Sequence, residues 1–413
     1  MVLKMTKEKA NWTFMVYLAG DNSLSNAGGK DIEEMRSVGS AEGVHVVAQF
    51  DQRNHGCRRY CLQRNGCNEF VDDLGKADSG SPQVLNDFVD WAMSNYPSNR
   101  YALILWSHGS GWEPDEVERL AASTNILNFE TEATTAIFPS FYRNIFFSST
   151  MRKLLDNSSL TKAICKDDGS GHSLDTIELG NVLFKVASKI GRPLDLLGMD
   201  ACLMSNFETA YQVAPYVQYM VASEESEPSD GWPYDAILGK LTRNPQMLPQ
   251  ELAFEMVSAY AEFYKNKVYK TKSLTQTALN LSKVAETAEK LDALANALVA
   301  HMPEADKELI MAQTKSASFY FDKLWDISHL LEELQKTTSD QSVIKASKDV
   351  RTCLESGPES FIIAESNLGL KVQKCCGVSI YLPFKGLSRY YSELEFAKCN
   401  HWGKILVSRN VDR

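Results

Sequence analysis

The stretch Tyr101-Ala102-Leu103-Ile104-Leu105-Trp106-Ser107-His108-Gly109-Ser110-Gly111-Trp112 decides the fold. Its first six residues are nearly all apolar, the length of one buried strand, and they run without a break into a glycine-rich turn. A strand apolar on both faces belongs to a parallel sheet covered by helices on either side. Residues 14–18, 44–50 and 194–199 read the same way. Between these runs lie helical stripes. Val84, Leu85, Phe88, Val89 and Ala92 form one, opened by Ser81 as N-cap with Pro82 in the first turn. Leu179, Val182, Leu183, Val186, Ala187 and Ile190 form another. Strands alternating with helices imply right-handed crossovers and an α/β fold whose sites lie beyond the carboxyl ends of the strands.

That rim carries two chemically interesting residues. His108 follows the strand at 101–106, and Gly109 and Gly111 beside it let the backbone approach a ligand and point an N–H at it. Cys202 follows the strand at 194–199, ahead of a helix expected through Phe207 and Val213, and a helix N-terminus or a nearby imidazole would favour its thiolate. Parallel strands deliver both residues to one edge of the sheet. Taken alone, the residues leave two readings open: a Cys-His hydrolase, or a structural histidine and a small buried cysteine.

Composition sets the bounds. A chain of 413 residues exceeds one ordinary core, and 44% hydrophobic with 23% charged residues is the balance of a globular protein. The net charge of -10, without a dense Lys/Arg run, argues against nucleic-acid or anionic-membrane partners and suits cationic ligands. No apolar run near the start is long enough to span a bilayer or is laid out as an export signal. The expectation is therefore a cytoplasmic protein as the sequence stands, and a secreted one if a leader precedes it. Nine cysteines, with Cys375 and Cys376 adjacent, argue against a complete disulfide framework. The spacing of His55, Cys57, Cys61 and Cys67 fits no common zinc module, so a reduced polar loop is expected there.

Residues 10–245 read as the catalytic region and 246–413 as a more helical C-terminal region packed on it, with stripes at Leu252, Met256, Val257 and Tyr260 and at Leu291, Leu294, Ala295 and Leu298. Strand signals return at 274–281 and 378–382. Residues 113–160, long and rich in Ser, Thr and Asn, break the pattern as an insertion or activation loop. Residues 223–234 form an acidic loop with aromatics, whose carboxylates could neutralise a substrate Arg or Lys while Trp232 offers a cation–π face. Residues 167–172 are acidic, but their glycine is misplaced for an EF-hand. No nucleophile elbow, phosphate-binding loop or dinucleotide fingerprint is present, which disfavours a nucleotide-binding protein.

At these residues the sequence resembles the clostripain-like cysteine peptidases, family C11, in the clan of caspases, gingipains and legumain. The likeness is carried by the motifs at 15–22 (MVYLAGDN), 106–112 (WSHGSGW), 199–204 (MDACLM), 229–234 (SDGWPY) and 377–383 (GVSIYLP), in order along most of the chain. The resemblance implies a caspase-like, mainly parallel central sheet flanked by helices. It implies an endopeptidase cutting after Arg or Lys, with Cys202 as nucleophile, His108 as base and acid, and the N–H groups of Gly109 and Cys202 holding the oxyanion. No third orienting carboxylate is implied. By the same likeness Asp200 and Asp230 line the first specificity pocket, and peptide or protein substrates are the partners. Relatives are typically zymogens that cut themselves between the histidine and cysteine segments, where Arg143, Arg152, Lys153, Lys162 and Lys166 are the basic candidates. No cofactor is required by this chemistry; some relatives need calcium, for which no firm ligand set stands out. The competing expectation is a catalytically silent peptidase-like module that binds basic peptides.

Overall fold

The computed structural model describes residues 9–66, 69–109, 164–167, 172–265, 273–319, 322–384, 386–388 and 390–411. Four strands form the centre: β1 (Ala10–Gly20), β2 (Val44–Gln52), β5 (Ser98–Trp106) and β8 (Leu194–Asp200). Between β2 and β5 come β3 (Gly56–Cys61) and β4 (Phe70–Gly75), and β6 (Ile164–Asp167) with β7 (His172–Leu174) makes a separate two-stranded pair before β8. Strand β9 (Val217–Ala222) follows β8, and β10 (Leu274–Asn280) comes later. Next are β11 (Ser318–Phe319), β12 (Leu324–Asp326), β13 (Ile362–Leu368) and β14 (Ser379–Tyr381). The main sheet has nine strands in the order β13-β10-β9-β8-β5-β1-β2-β3-β4. Its centre, β2-β1-β5-β8-β9, is parallel, and antiparallel strands extend both edges.

Side-chain alternation along β1 shows why the sheet is covered on both faces. Trp12, Phe14, Val16 and Leu18 enter one core, whereas Met15, Tyr17 and Ala19 enter the other. The first core is closed by α1 (Ser25–Val38), and the second by α2 (Pro82–Asn95), α3 (Thr176–Ile190) and α4 (Phe207–Val213). Helices α5 (Tyr234–Arg243) and α6 (Pro249–Lys265) join α1 on the first face. Helix α7 (Val284–Ala300) joins the second, along with α8 (Glu304–Gln313), α9 (Ile327–Thr337) and α10 (Gln341–Cys353). The expected stripes are the buried faces of α2, α3, α6 and α7. Asp175 and Glu178 close a capping box on α3, so its start is fixed by reciprocal side-chain to backbone bonds.

The fold class is as expected, but the part played by residues 246–413 differs. That region supplies β10 and β13 to the same sheet, next to β9, rather than only packing against it. The expected polar loop around Cys57 and Cys61 is also a strand. Both cysteines are buried on β3, where a two-residue spacing repeated twice puts them on one face. Residues 113–160, Arg143, Arg152, Lys153 and Lys162 lie outside the described residues, as do 168–171. Lys166 falls on β6, paired with β7. No helix among the described residues is long and apolar enough to cross a membrane.

Candidate active site

Strands β5 and β8 are direct parallel neighbours, with Trp106 opposite Asp200. The N–H of Ser107 donates to the carbonyl of Asp200 at 3.3 Å, extending the ladder one step past the strands. Gly109 then lies against Cys202: a Cβ on Gly109 would stand 2.3 Å from the Cys202 carbonyl oxygen and 3.0 Å from its nitrogen. The absent side chain lets the two turns meet, so His108 and Cys202 flank a single backbone contact on the sheet rim. Both side chains are half-buried, which leaves them open to a substrate.

The turn after β1 supports the histidine. The Asn22 amide donates to the Ala19 carbonyl at 2.7 Å and to the Ser107 hydroxyl at 3.4 Å, and that hydroxyl donates to the same carbonyl at 3.0 Å. This ties the His108 turn to the end of β1. Ser23 places its hydroxyl 2.9 Å from Nε2 of His108. Sequence reasoning flagged the motif ending at Asn22 without a role, and missed Ser23, because an exposed serine in a turn carries no periodic signal.

Cys202 is not where a helix dipole would act on it. Helix α4 starts at Phe207, with Asn206 as its N-cap accepting from the Thr209 N–H at 2.8 Å, and Leu203 between them adopts φ of +66°. Left-handed backbone at a leucine costs roughly 1–2 kcal/mol, and here it turns the chain sharply just after the thiol. The turn is held from outside: the N–H of Leu203 donates to the Glu225 carbonyl at 3.2 Å and that of Ser205 to the Ser223 carbonyl at 2.8 Å. The thiol itself receives the N–H of Glu227 at 3.2 Å. A backbone donor to sulfur stabilises thiolate, the contribution expected of the helix terminus.

Residues 223–234 therefore wrap the Cys202 turn instead of forming a free acidic loop. Asp200 is buried, and its Oδ2 accepts from the Tyr234 hydroxyl at 2.9 Å and the Trp232 N–H at 3.2 Å. Glu227 hydrogen-bonds to Asp200, and its Oε1 accepts from the Trp232 indole at 3.2 Å. Burial and the neighbouring Asp200 charge push the Glu227 carboxyl well above the usual range. Gly231 adopts φ of +60°, and a Cβ there would stand 3.2 Å from Asp200 Oδ2 and 3.5 Å from Asp31 Oδ2. Asp230, half-buried, precedes it. The structure thus brings Asp200 and Asp230 to one place, together with Asp31 and Glu227, which sequence reasoning did not single out.

The expectation for Trp232 needs correction. Its ring is 1% exposed and lies over Gly198 of β8, where a Cβ would stand 3.0 Å from the indole. An aromatic in an acidic loop looked like surface, but the loop folds it into the core, so its face is not offered to a cation.

Among the described residues, one group has the side chains to hold a metal: Glu224, Asp326 and Cys375, with ligand atoms within 4.8 Å of one another. A set with a thiol does not fit calcium, which takes about six to eight oxygens. Asp326 is instead satisfied by the N–H groups of His329, Cys376 and Gly377, at 2.7, 2.7 and 3.2 Å. Burial and the Asp326 charge push Glu224 well up, as for two carboxyls sharing a proton. Cys61, Cys353, Cys375, Cys376 and Cys399 are free thiols.

The clostripain family model, peptidase C11, matches residues 16–138 and 144–407. The chain belongs to the clostripain family. Clostripain of Hathewaya histolytica is 25% identical over 261 residues, a match covering 55% of this chain and 42% of that protein, so the chain spans less than half of the curated relative. Two solved structures share the fold of this clostripain-family chain. An inactive zymogen C11 protease from Parabacteroides distasonis has a TM-score of 0.65 at 17% identity, covering 95% of this chain and 99% of that one. A secreted C11 cysteine protease from Bacteroides thetaiotaomicron, in complex with an irreversible peptide inhibitor, has a TM-score of 0.63 at 17% identity over 94% and 98%.

Proposed function

We propose that this chain is a cysteine endopeptidase that cleaves after Arg or Lys through Cys202 and His108. The observation that carries this reading is the contact of Gly109 with the Cys202 backbone, which puts an imidazole and a thiol on one sheet rim beside an acidic wall. The Cys202 thiolate attacks the scissile carbonyl, and the oxyanion that forms is held by the N–H groups of Gly109 and Cys202, a contribution of roughly 10²–10³-fold in rate. His108 gives its proton to the departing amine, worth about 10²–10⁴-fold. It then takes a proton from the water that releases the acyl-enzyme. Ser23 on Nε2 limits the rotation of the imidazole during both transfers.

The substrate class follows from charge. Asp200, Asp230 and Glu227 gather beside the Cys202 turn, and an acidic cluster there favours a guanidinium or ammonium at P1. With peptides carrying Arg, Lys or Leu before a fluorescent leaving group, the expected order of kcat/KM is Arg, then Lys, with Leu far behind. Asp230→Ala should lower the Arg and Lys values by about 10- to 10²-fold, the range for a hydrogen bond to a charged group. An unchanged basic preference in that variant would contradict the assignment.

Self-processing between His108 and Cys202 belongs to the same reading, at Arg143, Arg152, Lys153, Lys162 or Lys166. Mass spectrometry of freshly purified wild type should show two fragments, and Cys202→Ala a single intact chain. Intact chains in both preparations would rule self-cleavage out.

A further inference from the structure

Asp31, on α1, is a buried acid outside the machinery assigned above. It is 3% exposed, and its Oδ2 has no hydrogen-bond partner. That oxygen faces the space left by the missing side chain of Gly231, 3.5 Å from where a Cβ would be, with Asp200 Oδ2 at 3.2 Å from the same point. The groups acting on Asp31 from the surrounding elements are Asp200 at the end of β8, Glu34 on α1, Asp230 in the loop, and the Trp106 indole, which donates to it. None of these is a cation.

The carboxyls around Gly231 are not equivalent. Asp200 is occupied by Tyr234, Trp232 and Glu227. Glu34 accepts the Tyr234 N–H at 3.2 Å. Asp31 Oδ2 and Glu227 Oε2 are both buried acceptors without a partner, a rare state because desolvation without a hydrogen bond is costly, but Glu227 is joined to Asp200, and of the two only Asp31 is among the atoms nearest the open space at Gly231. We propose that Asp31 is the carboxylate that pairs with the P1 Arg or Lys charge at the closed end of the specificity pocket, with Asp230 at its mouth and Asp200 in its wall. This rests on the basic-P1 reading above.

A proton balance follows. Burial, then the Asp200 charge, pushes the Asp31 carboxyl up to about 9, so the empty pocket holds the neutral acid at neutral pH. A P1 cation replaces that proton: carboxyl plus cation gives the ion pair and one released H⁺. The form that binds a basic side chain is therefore the ionised one. Its population in free enzyme rises with pH up to about 9, by as much as about tenfold per pH unit, and levels off above. Because the Cys202 and His108 ionisations also affect turnover, they are removed by dividing kcat/KM for an Arg peptide by the rate at which iodoacetamide inactivates the enzyme.

The test compares wild type, Asp31→Asn and Asp230→Ala over pH 6–10. Asparagine has the shape of the neutral acid, so a merely structural, protonated Asp31 would tolerate it. The expected result for Asp31→Asn is a loss of about 10²-fold or more on Arg and Lys peptides, unchanged inactivation by iodoacetamide, and a pH-flat ratio. Wild-type-like preference and pH dependence in Asp31→Asn would overturn the proposal while leaving the basic-P1 reading intact. A flat ratio in the wild type below pH 9 would overturn it without any variant. A wild type that shows no preference for Arg or Lys would remove both.

Discussion

Replacing Cys202 with alanine is expected to reduce turnover of an Arg-containing fluorogenic peptide by at least about 10⁴-fold, and His108→Ala should fall to a similar level. The two losses should not add, because nucleophile and base act as one unit: the double variant should match the worse single one. The structural cost at Cys202 is small. The sulfur accepts the Glu227 N–H at 3.2 Å and stands 4.0 Å from the Glu227 carbonyl oxygen, and losing a hydrogen bond of this kind on a half-buried rim costs about 1 kcal/mol. Thermal denaturation of Cys202→Ala should therefore stay close to wild type while activity disappears. A stable, folded Cys202→Ala that still cleaves the peptide would remove Cys202 as nucleophile.

The parts of the fold that could be read from sequence are those where both faces of an element are buried. Strands β1, β2, β5 and β8 sit mid-sheet, so apolar side chains fill most of their positions and the signal does not depend on strict alternation. The antiparallel edges are different. Strand β3 reads Gly-Cys-Arg-Arg-Tyr-Cys and β4 Phe-Val-Asp-Asp-Leu-Gly, with charges that face solvent or pair across strands, as Arg58 does with Asp73 at 3.1 Å. Such sequences look like loop. Strand β13, with Glu365, Ser366 and Asn367 in its second half, was missed for the same reason.

The site was legible where a residue type sits at a strand end and illegible where tertiary contact gives it meaning. His108 and Cys202 follow buried strands, which marks them as a candidate pair, whereas Asp200, the last residue of β8, is picked out by family likeness. Ser23 meets His108, and Glu227 meets Cys202, through hydrogen bonds that span more than twenty positions of sequence, and Asp31 belongs to an ordinary amphipathic helix. Trp232 failed in the opposite direction: local polarity pointed outward, while the flat space over Gly198 drew its ring inward.

The second large effect is expected from the smallest change, Gly109→Ala. The backbone of Gly109 has no positive φ, so the substitution is not opposed by conformation. It is opposed by space. The new methyl would meet the Cys202 carbonyl oxygen at 2.3 Å, and its nitrogen and the Ala201 Cβ at 3.0 Å. Two of these are backbone atoms, held by the β5–β8 ladder and by the Glu225 and Ser223 carbonyls, so no side chain can swing aside. The turns must separate by about 1 Å, which carries His108 away from Cys202 and moves one oxyanion donor off its target. Misplacement on that scale costs about 10²-fold in rate, and loss of one oxyanion donor about 10²–10³-fold. The defect should appear in kcat, with KM for an Arg peptide little changed, since the atoms nearest the new methyl belong to Ala201 and Cys202 and not to Asp31, Asp200 or Asp230. Steady-state kinetics on Gly109→Ala check this: a kcat within threefold of wild type would mean that the Gly109–Cys202 contact does not set the catalytic geometry.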